Sequence, residues 1–375
     1  MTTEPIPLSR PDITDAERHA VAGVLRTDRL SMGPHLEAFE QATAALAGRA
    51  FGVGVNSGTS GLHLCVKALG LGPGDEVLTT PFSFIATTNC LLYEQATPVF
   101  VDIDPDSYNM DPDRLADALT ERTRAILLVE IFGNPAHFER YEQFARKHNL
   151  LLIEDCCEAL GGHLNGRRTG SFGDCGVFAF YPNKQLTTGE GGMVVTDNAD
   201  LAACARSLRN QGRGDGGWLT HVRLGYNYRM SELAATIGVA QIGRLDAILR
   251  RRRQVASWYH DALADVEEIH LPPMTEPDKA SWFVYVVRLA DRFDHRDRQA
   301  VVDGLTSGGI GCERYFQPIH LQPFIREILG TAPGDFPHCE RVSDRTIALP
   351  FFTTMRHDQV RCVAERLKAA LAALA

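Results

Sequence analysis

The chain has 375 residues, 44% of them apolar, a length beyond what one hydrophobic core usually serves, so two domains are expected. A net charge of −9 speaks against a phosphate-backbone partner, which needs clustered Lys and Arg to release counterions, and no nucleic-acid role is expected. The nine cysteines include no Cys-x-x-Cys pair, so neither a metal site nor a redox motif is expected, and they read as reduced thiols of a cytoplasmic protein.

The start, Met1-Thr-Thr-Glu-Pro-Ile-Pro-Leu8, lacks a basic n-region and an apolar core. No run approaches the roughly 18 apolar residues of a membrane span, so neither export nor membrane insertion is expected. From Thr14 to Gly192 short apolar runs alternate with helical patterns. Phe51-Gly-Val-Gly-Val leads into Gly61-Leu-His-Leu-Cys-Val-Lys-Ala-Leu, and Glu76-Val-Leu-Thr-Thr, Pro98-Val-Phe-Val-Asp, Ala125-Ile-Leu-Leu-Val and Leu150-Leu-Leu-Ile-Glu follow. Such alternation predicts βα units around a largely parallel sheet covered on both faces, where ligands gather at the carboxyl ends of the strands. A long helical pattern spans Ser231 to Leu263; the basic run Arg250 to Arg253 within it reads as a solvated or subunit-facing surface. Beyond it, Trp282-Phe-Val-Tyr-Val-Val-Arg-Leu predicts a strand, Arg298 to Leu305 a helix and His357 to Leu374 a last helix. The large α/β domain is placed at residues 1–250 and a smaller α+β domain at 251–375.

Lys184 lies in Phe180-Tyr-Pro-Asn-Lys-Gln-Leu-Thr-Thr-Gly-Glu-Gly-Gly192, between an aromatic-rich strand and a glycine-rich bend. An ε-amine becomes a carbonyl nucleophile when burial or a neighbouring cation lowers its pKa, and Val177-Phe-Ala-Phe-Tyr181 supplies apolar walls. Taken alone it reads more readily as a surface lysine; with its neighbours, as a Schiff-base lysine, it points to pyridoxal 5′-phosphate (PLP) as cofactor. Val55-Asn-Ser-Gly-Thr-Ser-Gly61 sits between a strand and a helix, so the amides of Gly58, Thr59 and Ser60 either face a cofactor phosphate or simply form an N-cap. Asp155 ends a buried strand, where a carboxylate can hold the pyridine nitrogen of PLP protonated or can cap a helix starting near Cys156. Glu158, three residues on, is either the capping-box partner or a contact to the cofactor's phenolic oxygen. Phe84 can stack on the pyridine face or belong to the core. Asn227 and Arg229, in Leu224-Gly-Tyr-Asn-Tyr-Arg-Met, put polar groups where a plain helix start needs none.

Together these stretches resemble the DegT and StrS sugar aminotransferases, PLP enzymes of fold type I, and the likeness runs through Gly72-Pro-Gly-Asp-Glu-Val, Gly170-Ser-Phe-Gly-Asp and Pro318-Ile-His-Leu-Gln-Pro as well. The resemblance implies an aspartate-aminotransferase-like α/β fold, with a mostly parallel seven-stranded sheet in the large domain and a smaller C-terminal α+β domain. It implies that Lys184 carries the cofactor as a Schiff base, Asp155 pairs with the ring nitrogen, Phe84 stacks on the ring, and Thr59 and Ser60 hold the phosphate. Asn227 would reach that phosphate from the neighbouring subunit of a homodimer, with Arg229 close by. His320, with Tyr315 before it, would border the sugar-nucleotide cleft.

Two departures stand out. Many relatives carry a phosphate-binding serine five residues before the lysine, where this chain has Ala179; and Glu158, with the Tyr181-Pro-Asn-Lys approach, leans toward the perosamine-type members. The expected reaction moves an amino group from L-glutamate to a keto sugar on a nucleotide. A keto cyclitol acceptor is the alternative. A sugar dehydratase is disfavoured because such relatives place histidine at the lysine position, and a non-catalytic sensor because Lys184 and Asp155 are both present.

Overall fold

The computed structural model describes residues 4–214, 216–217, 219–272 and 280–374. Its strands are β1 Phe51–Val55, β2 Glu76–Thr79, β3 Thr97–Phe100, β4 Thr123–Val129, β5 Leu151–Asp155, the short hairpin β6 His163–Leu164 and β7 Arg167–Arg168, β8 Cys175–Ala179, β9 Gly192–Thr196, β10 Ile269–His270, β11 Tyr285–Leu289 and β12 Thr346–Leu349. The helices that matter below are α1 Asp15–Val24, α2 Pro34–Ala47, α3 Gly58–Ala68, α4 Ala86–Tyr93, α5 Leu115–Ala118, α6 Phe138–His148, α7 Ala199–Arg209, α8 Glu232–Ile242 and α9 Leu245–Leu263. Four more follow: α10 His295–Ser307, α11 Pro323–Leu329, α12 Pro337–Ser343 and α13 His357–Ala372.

The large sheet has seven strands in the order β1-β9-β8-β5-β4-β2-β3. Pairings β2/β3, β2/β4, β4/β5 and β5/β8 are parallel, while β9 runs antiparallel to both its neighbours. Period-2 alternation splits each strand between two cores. Val53, Val55, Leu127, Ile153, Val177 and Val194 meet α3 and α7 on one face. On the other face Phe178, Met193 and Val195 meet α2 and α8, and Ile126, Leu128 and Leu152 meet α6. Covering both faces is why these strands read as nearly unbroken apolar runs.

A second sheet, β10-β11-β12, packs with α10 and α13 around its own core. That core also takes Ile6, whose backbone bridges Ile310, so the N-terminal arm crosses over to the C-terminal unit. The pattern expected over Ser231–Leu263 breaks into two helices at Gly243–Arg244, because Arg244 leaves helical geometry. The boundary expected at residue 250 falls inside α9, whose Leu245 and Leu249 pack in the large-domain core while Val255, Ala256, Tyr259 and Leu263 pack in the small one.

The basic run on α9 is not the open surface its composition suggested. Arg252 is buried and donates to the carbonyls of Trp282 (2.7 Å) and Phe283 (2.6 Å) and to Thr353 Oγ1 (3.1 Å). Arg251 donates to the Met355 carbonyl at 2.8 Å. Periodicity places residue 252 on the apolar face of the helix, and the carbonyls of an irregular segment supply the partners that a buried guanidinium requires.

Candidate active site

With β9 reversed, β1, β2, β4, β5 and β8 all point the same way, and their carboxyl ends surround one cleft of about 540 Å³. Asp155 closes β5; Ala179 closes β8, and the loop after it carries Lys184 before the chain returns in β9. The loop is tight because Ala179 pairs with Gly192, the Phe180 amide donates to the Gly191 carbonyl (2.9 Å) and the Thr188 amide to the Phe180 carbonyl (3.0 Å). Gly192 has no alternative here: a Cβ would stand 2.4 Å from the Ser57 carbonyl oxygen.

Lys184 is 13% exposed, with Nζ 3.7 Å from Glu158 Oε1 and 3.9 Å from the centre of the Phe283 ring. Glu158 accepts from the Phe132 amide at 2.8 Å. Burial pushes its carboxyl up and the charge of Asp155 adds to this, while Lys184 and the Phe132 amide oppose it. Asp155 accepts from Thr87 Oγ1 (2.8 Å), which in turn meets Ser83 Oγ (2.9 Å), and from the Cys157 amide (3.2 Å). The residues after it form turns, so Asp155 caps no helix and Glu158 completes no capping box.

Helix α3 begins at the same cleft. Ser57 caps it by accepting from the Ser60 amide (3.1 Å), while the amides of Gly58 and Thr59 donate to no described group. A Cβ on Gly58 would lie 2.7 Å from the Ala179 Cβ and 3.0 Å from Cys157 Sγ, so glycine lets the first turn settle against the end of β8. Orphan amides at a helix start, with the positive end of its dipole, are where a phosphate binds. Ser57, Gly58 and Thr59 line the cleft, whereas the Ser60 hydroxyl is committed to Asn56 Oδ1 at 2.6 Å. Phe84 also lines it and is 61% exposed, presenting an aromatic face to the cleft.

Across the cleft stand Phe283, Arg314, Tyr315 and Phe316. Burial, with the charge of Glu158 adding, pushes the Tyr315 phenol up to about 12, so it remains a neutral donor at neutral pH. Residues 281–283 are pinned to the floor: Gln185 Nε2 donates to Ser281 Oγ (2.7 Å) and to the Glu158 carbonyl (2.6 Å), and Ser281 Oγ donates to the Leu160 carbonyl (2.6 Å).

His320 is not on this wall. It is fully buried, its Nε2 3.0 Å from Glu340 Oε1, because the Ile319 amide donates to the Pro81 carbonyl and draws the segment beneath the surface. Asn227 and Arg229 are also absent from the lining of this chain's own cleft; Asn227 is exposed and Arg229 Nη1 donates to Asn210 Oδ1 at 3.1 Å. Sequence reasoning missed Thr87, Phe283 and Arg314. The first had a signal, since Thr87 stands three residues after Phe84 at the start of α4; the other two reach the cleft only through tertiary packing.

The model of the DegT/DnrJ/EryC1/StrS aminotransferase family matches residues 11–368. The chain belongs to this family. It is therefore an enzyme, an aminotransferase of the PLP-dependent kind, as the resemblance implied. It is 38% identical to the GDP-perosamine synthase of Caulobacter vibrioides over 320 residues, 85% of this chain and 86% of that one. Among solved structures it superposes on Helicobacter pylori PseC, an aminotransferase of pseudoaminic acid biosynthesis, with TM-score 0.94 and 26% identity, covering 99% of this chain and 100% of that one. The PLP form of the sugar aminotransferase Spr1654 of Streptococcus pneumoniae matches with TM-score 0.93 and 27% identity over 99% and 100% of the two chains.

The residues of the cleft fit PLP: free amides at a helix start for a phosphate, a buried carboxylate held by a hydroxyl for a ring nitrogen, an exposed aromatic face, and one lysine between them. Among the described residues, no helix is long and apolar enough to cross a membrane.

Proposed function

We propose that this chain transfers an amino group from L-glutamate to the keto group of a nucleotide-linked sugar, with Lys184 as the catalytic residue. The observation that carries the reading is the position of Lys184, on the cleft floor, beside Glu158 and in one cleft with Asp155 and the amides of α3. The cofactor, when bound through Lys184, supplies an electron sink that stabilises the carbanion formed as the donor loses its α-proton. Asp155, kept in place by Thr87, would face the ring nitrogen. Gly58 and Thr59 would hold the phosphate by their amides, Phe84 would cover the ring, and Glu158 would serve its phenolic oxygen. The Lys184 amine would take the proton from the donor's α-carbon onto Nζ. Tyr315 serves the substrate wall. The likeness to a GDP-perosamine synthase and to an aminotransferase of pseudoaminic acid biosynthesis supports a nucleotide sugar as acceptor.

The functional unit is a homodimer. Asn227, exposed and away from its own cleft, is suited to reach the phosphate in the partner's, with Arg229 beside it. Nine free cysteines suit a reducing, cytoplasmic compartment. Borohydride reduction followed by peptide mapping tests the core of the reading: a pyridoxyl label on Lys184 is expected, and a label elsewhere or nowhere overturns it. Glutamate-dependent amination across a panel of nucleotide-linked keto sugars and keto cyclitols then decides the acceptor, and turnover of cyclitols alone would replace the sugar.

A further inference from the structure

Helix α3 does more than present its first turn to the cleft. One turn after Thr59 it carries His63, which is 4% exposed and surrounded by polar and aromatic groups. His63 Nε2 lies 2.8 Å from Glu94 Oε1 at the end of α4, and Nδ1 lies 3.1 Å from the Tyr228 hydroxyl. Tyr226 Oη donates to the same Glu94 oxygen at 2.7 Å, and Lys67 Nζ pairs with the other. Tyr226 and Tyr228 are stacked, 4.9 Å between centres and 10° between planes, and both rings pack against His63.

Between the two tyrosines is Asn227. The segment is extended: the Tyr226 amide donates to the Leu208 carbonyl (2.6 Å), the Tyr228 amide to the Arg209 carbonyl (2.9 Å), and the Asn56 amide to the Tyr228 carbonyl (2.9 Å). Side chains of an extended segment alternate, so with residues 226 and 228 drawn onto α3, residue 227 must face the other way. Those backbone bonds, with the Gln211 amide donating to the Tyr226 carbonyl at 2.8 Å, set the course of the segment and the face each residue turns to, and the tyrosine rings and hydroxyls hold that face down on α3. We propose that His63 and Glu94 form a clasp that aims Asn227, making them positioning residues for the partner subunit's cofactor phosphate. The inference rests on the reading that Asn227 completes the partner's site.

The charge arithmetic favours a clasp over simple core filling. Glu94, whose side chain is 10% exposed, takes donors from His63, Lys67 and Tyr226, and both ring nitrogens of His63 have a partner, Nε2 on Glu94 and Nδ1 on the Tyr228 hydroxyl, so each polar atom of the network is matched. Apolar side chains would fill the same volume without the desolvation cost of a buried carboxylate, but would leave both tyrosines free to slide. Because α3 also starts at Gly58, one helix ties its own subunit's phosphate cradle to the group offered to the neighbour's.

The test compares cofactor affinity, by reconstitution of the dimeric apoenzyme with PLP, in Asn227→Ala, Tyr228→Phe, His63→Gln and the corresponding doubles. Asn227→Ala is expected to weaken PLP binding about tenfold, and Tyr228→Phe and His63→Gln about threefold to tenfold, with the loss in cofactor affinity and not in kcat at saturating PLP. In the Asn227→Ala background the clasp variants should cost nothing further, because they act through that residue. Equal losses in both backgrounds, or a lower Tm with unchanged affinity, overturn the clasp while leaving the partner-site reading intact. Full affinity in Asn227→Ala overturns that reading and the clasp with it. Should His63→Gln fail to fold, Tyr226→Phe, which removes only the hydroxyl on Glu94, gives the same comparison.

Discussion

The two walls of the cleft are built by different rules. The floor is made by strand ends, and its two carboxyl groups and its helix start are anchored: Asp155 by Thr87 and Cys157, Glu158 by the Phe132 amide, the first turn of α3 by Ser57. The opposite wall, Phe283 with Tyr315 and Phe316, is a set of aromatic faces brought in from beyond α9. A hydrogen-bonded floor is suited to hold one invariant group in one pose. An aromatic wall with few fixed donors tolerates different shapes, which is what an enzyme needs when two unlike substrates take turns in one cleft. Under the proposed function the floor would serve the cofactor and the wall the substrates.

The sharpest way to break this contrast is Lys184→Ala, which should lower turnover by about 10³-fold or more without loss of fold, read by steady-state rates and circular dichroism. Next is Asp155→Asn: an amide cannot keep the ring nitrogen charged, and a drop of about 10²-fold in kcat is expected from stopped-flow glutamate half-reactions. On the other wall, Tyr315→Phe should raise the KM of the acceptor about threefold to tenfold and leave PLP affinity unchanged, because it removes one donor from the substrate side only. If instead it loosened the cofactor, the division between the walls would fail.

The smallest effect concerns stability. Behind Asp155, Glu130 is fully buried and its carboxyl oxygens accept from no described donor, while the neighbouring Glu154 accepts from the Phe172 amide at 2.9 Å. Burial, and then the charge of Glu154, push the Glu130 carboxyl well up. An acid whose folded pKa is raised holds its proton in the native state after the unfolded chain has released it. Its penalty is therefore absent below the unfolded value near 4.5 and grows as the pH climbs from there through the folded value. Glu130→Gln should thus raise Tm by about 2–4 °C at neutral pH and by little near pH 4, measured by calorimetry across that range.

Most of the floor was legible in the sequence because its positions follow from local rules. A strand end, a glycine-rich bend and a capped helix start fix where Asp155, Lys184 and Gly58 must lie once the strands are placed in parallel. The reversal of β9 was not legible, since Gly192–Thr196 has the same unbroken apolar character as its parallel neighbours. Arg252 was misread because a run of four arginines looks like surface until the carbonyls of Trp282 and Phe283 are known to face it. His320 failed for the complementary reason: its motif was recognised, but whether a motif's ring faces the cleft or the interior depends on the Ile319–Pro81 bond, which no local pattern encodes. Phe283 and Arg314 approach Lys184's cleft across more than ninety residues of chain, a juxtaposition that only tertiary packing creates.

Helix α9 is one unbroken rod of 19 residues shared by both cores, and Arg252 on it grips the backbone of the very segment that ends at Phe283. Swinging the C-terminal unit like a jaw would mean bending that rod and tearing those bonds. The frame of the entrance at Phe283 is thus carried by the same helix that joins the two cores.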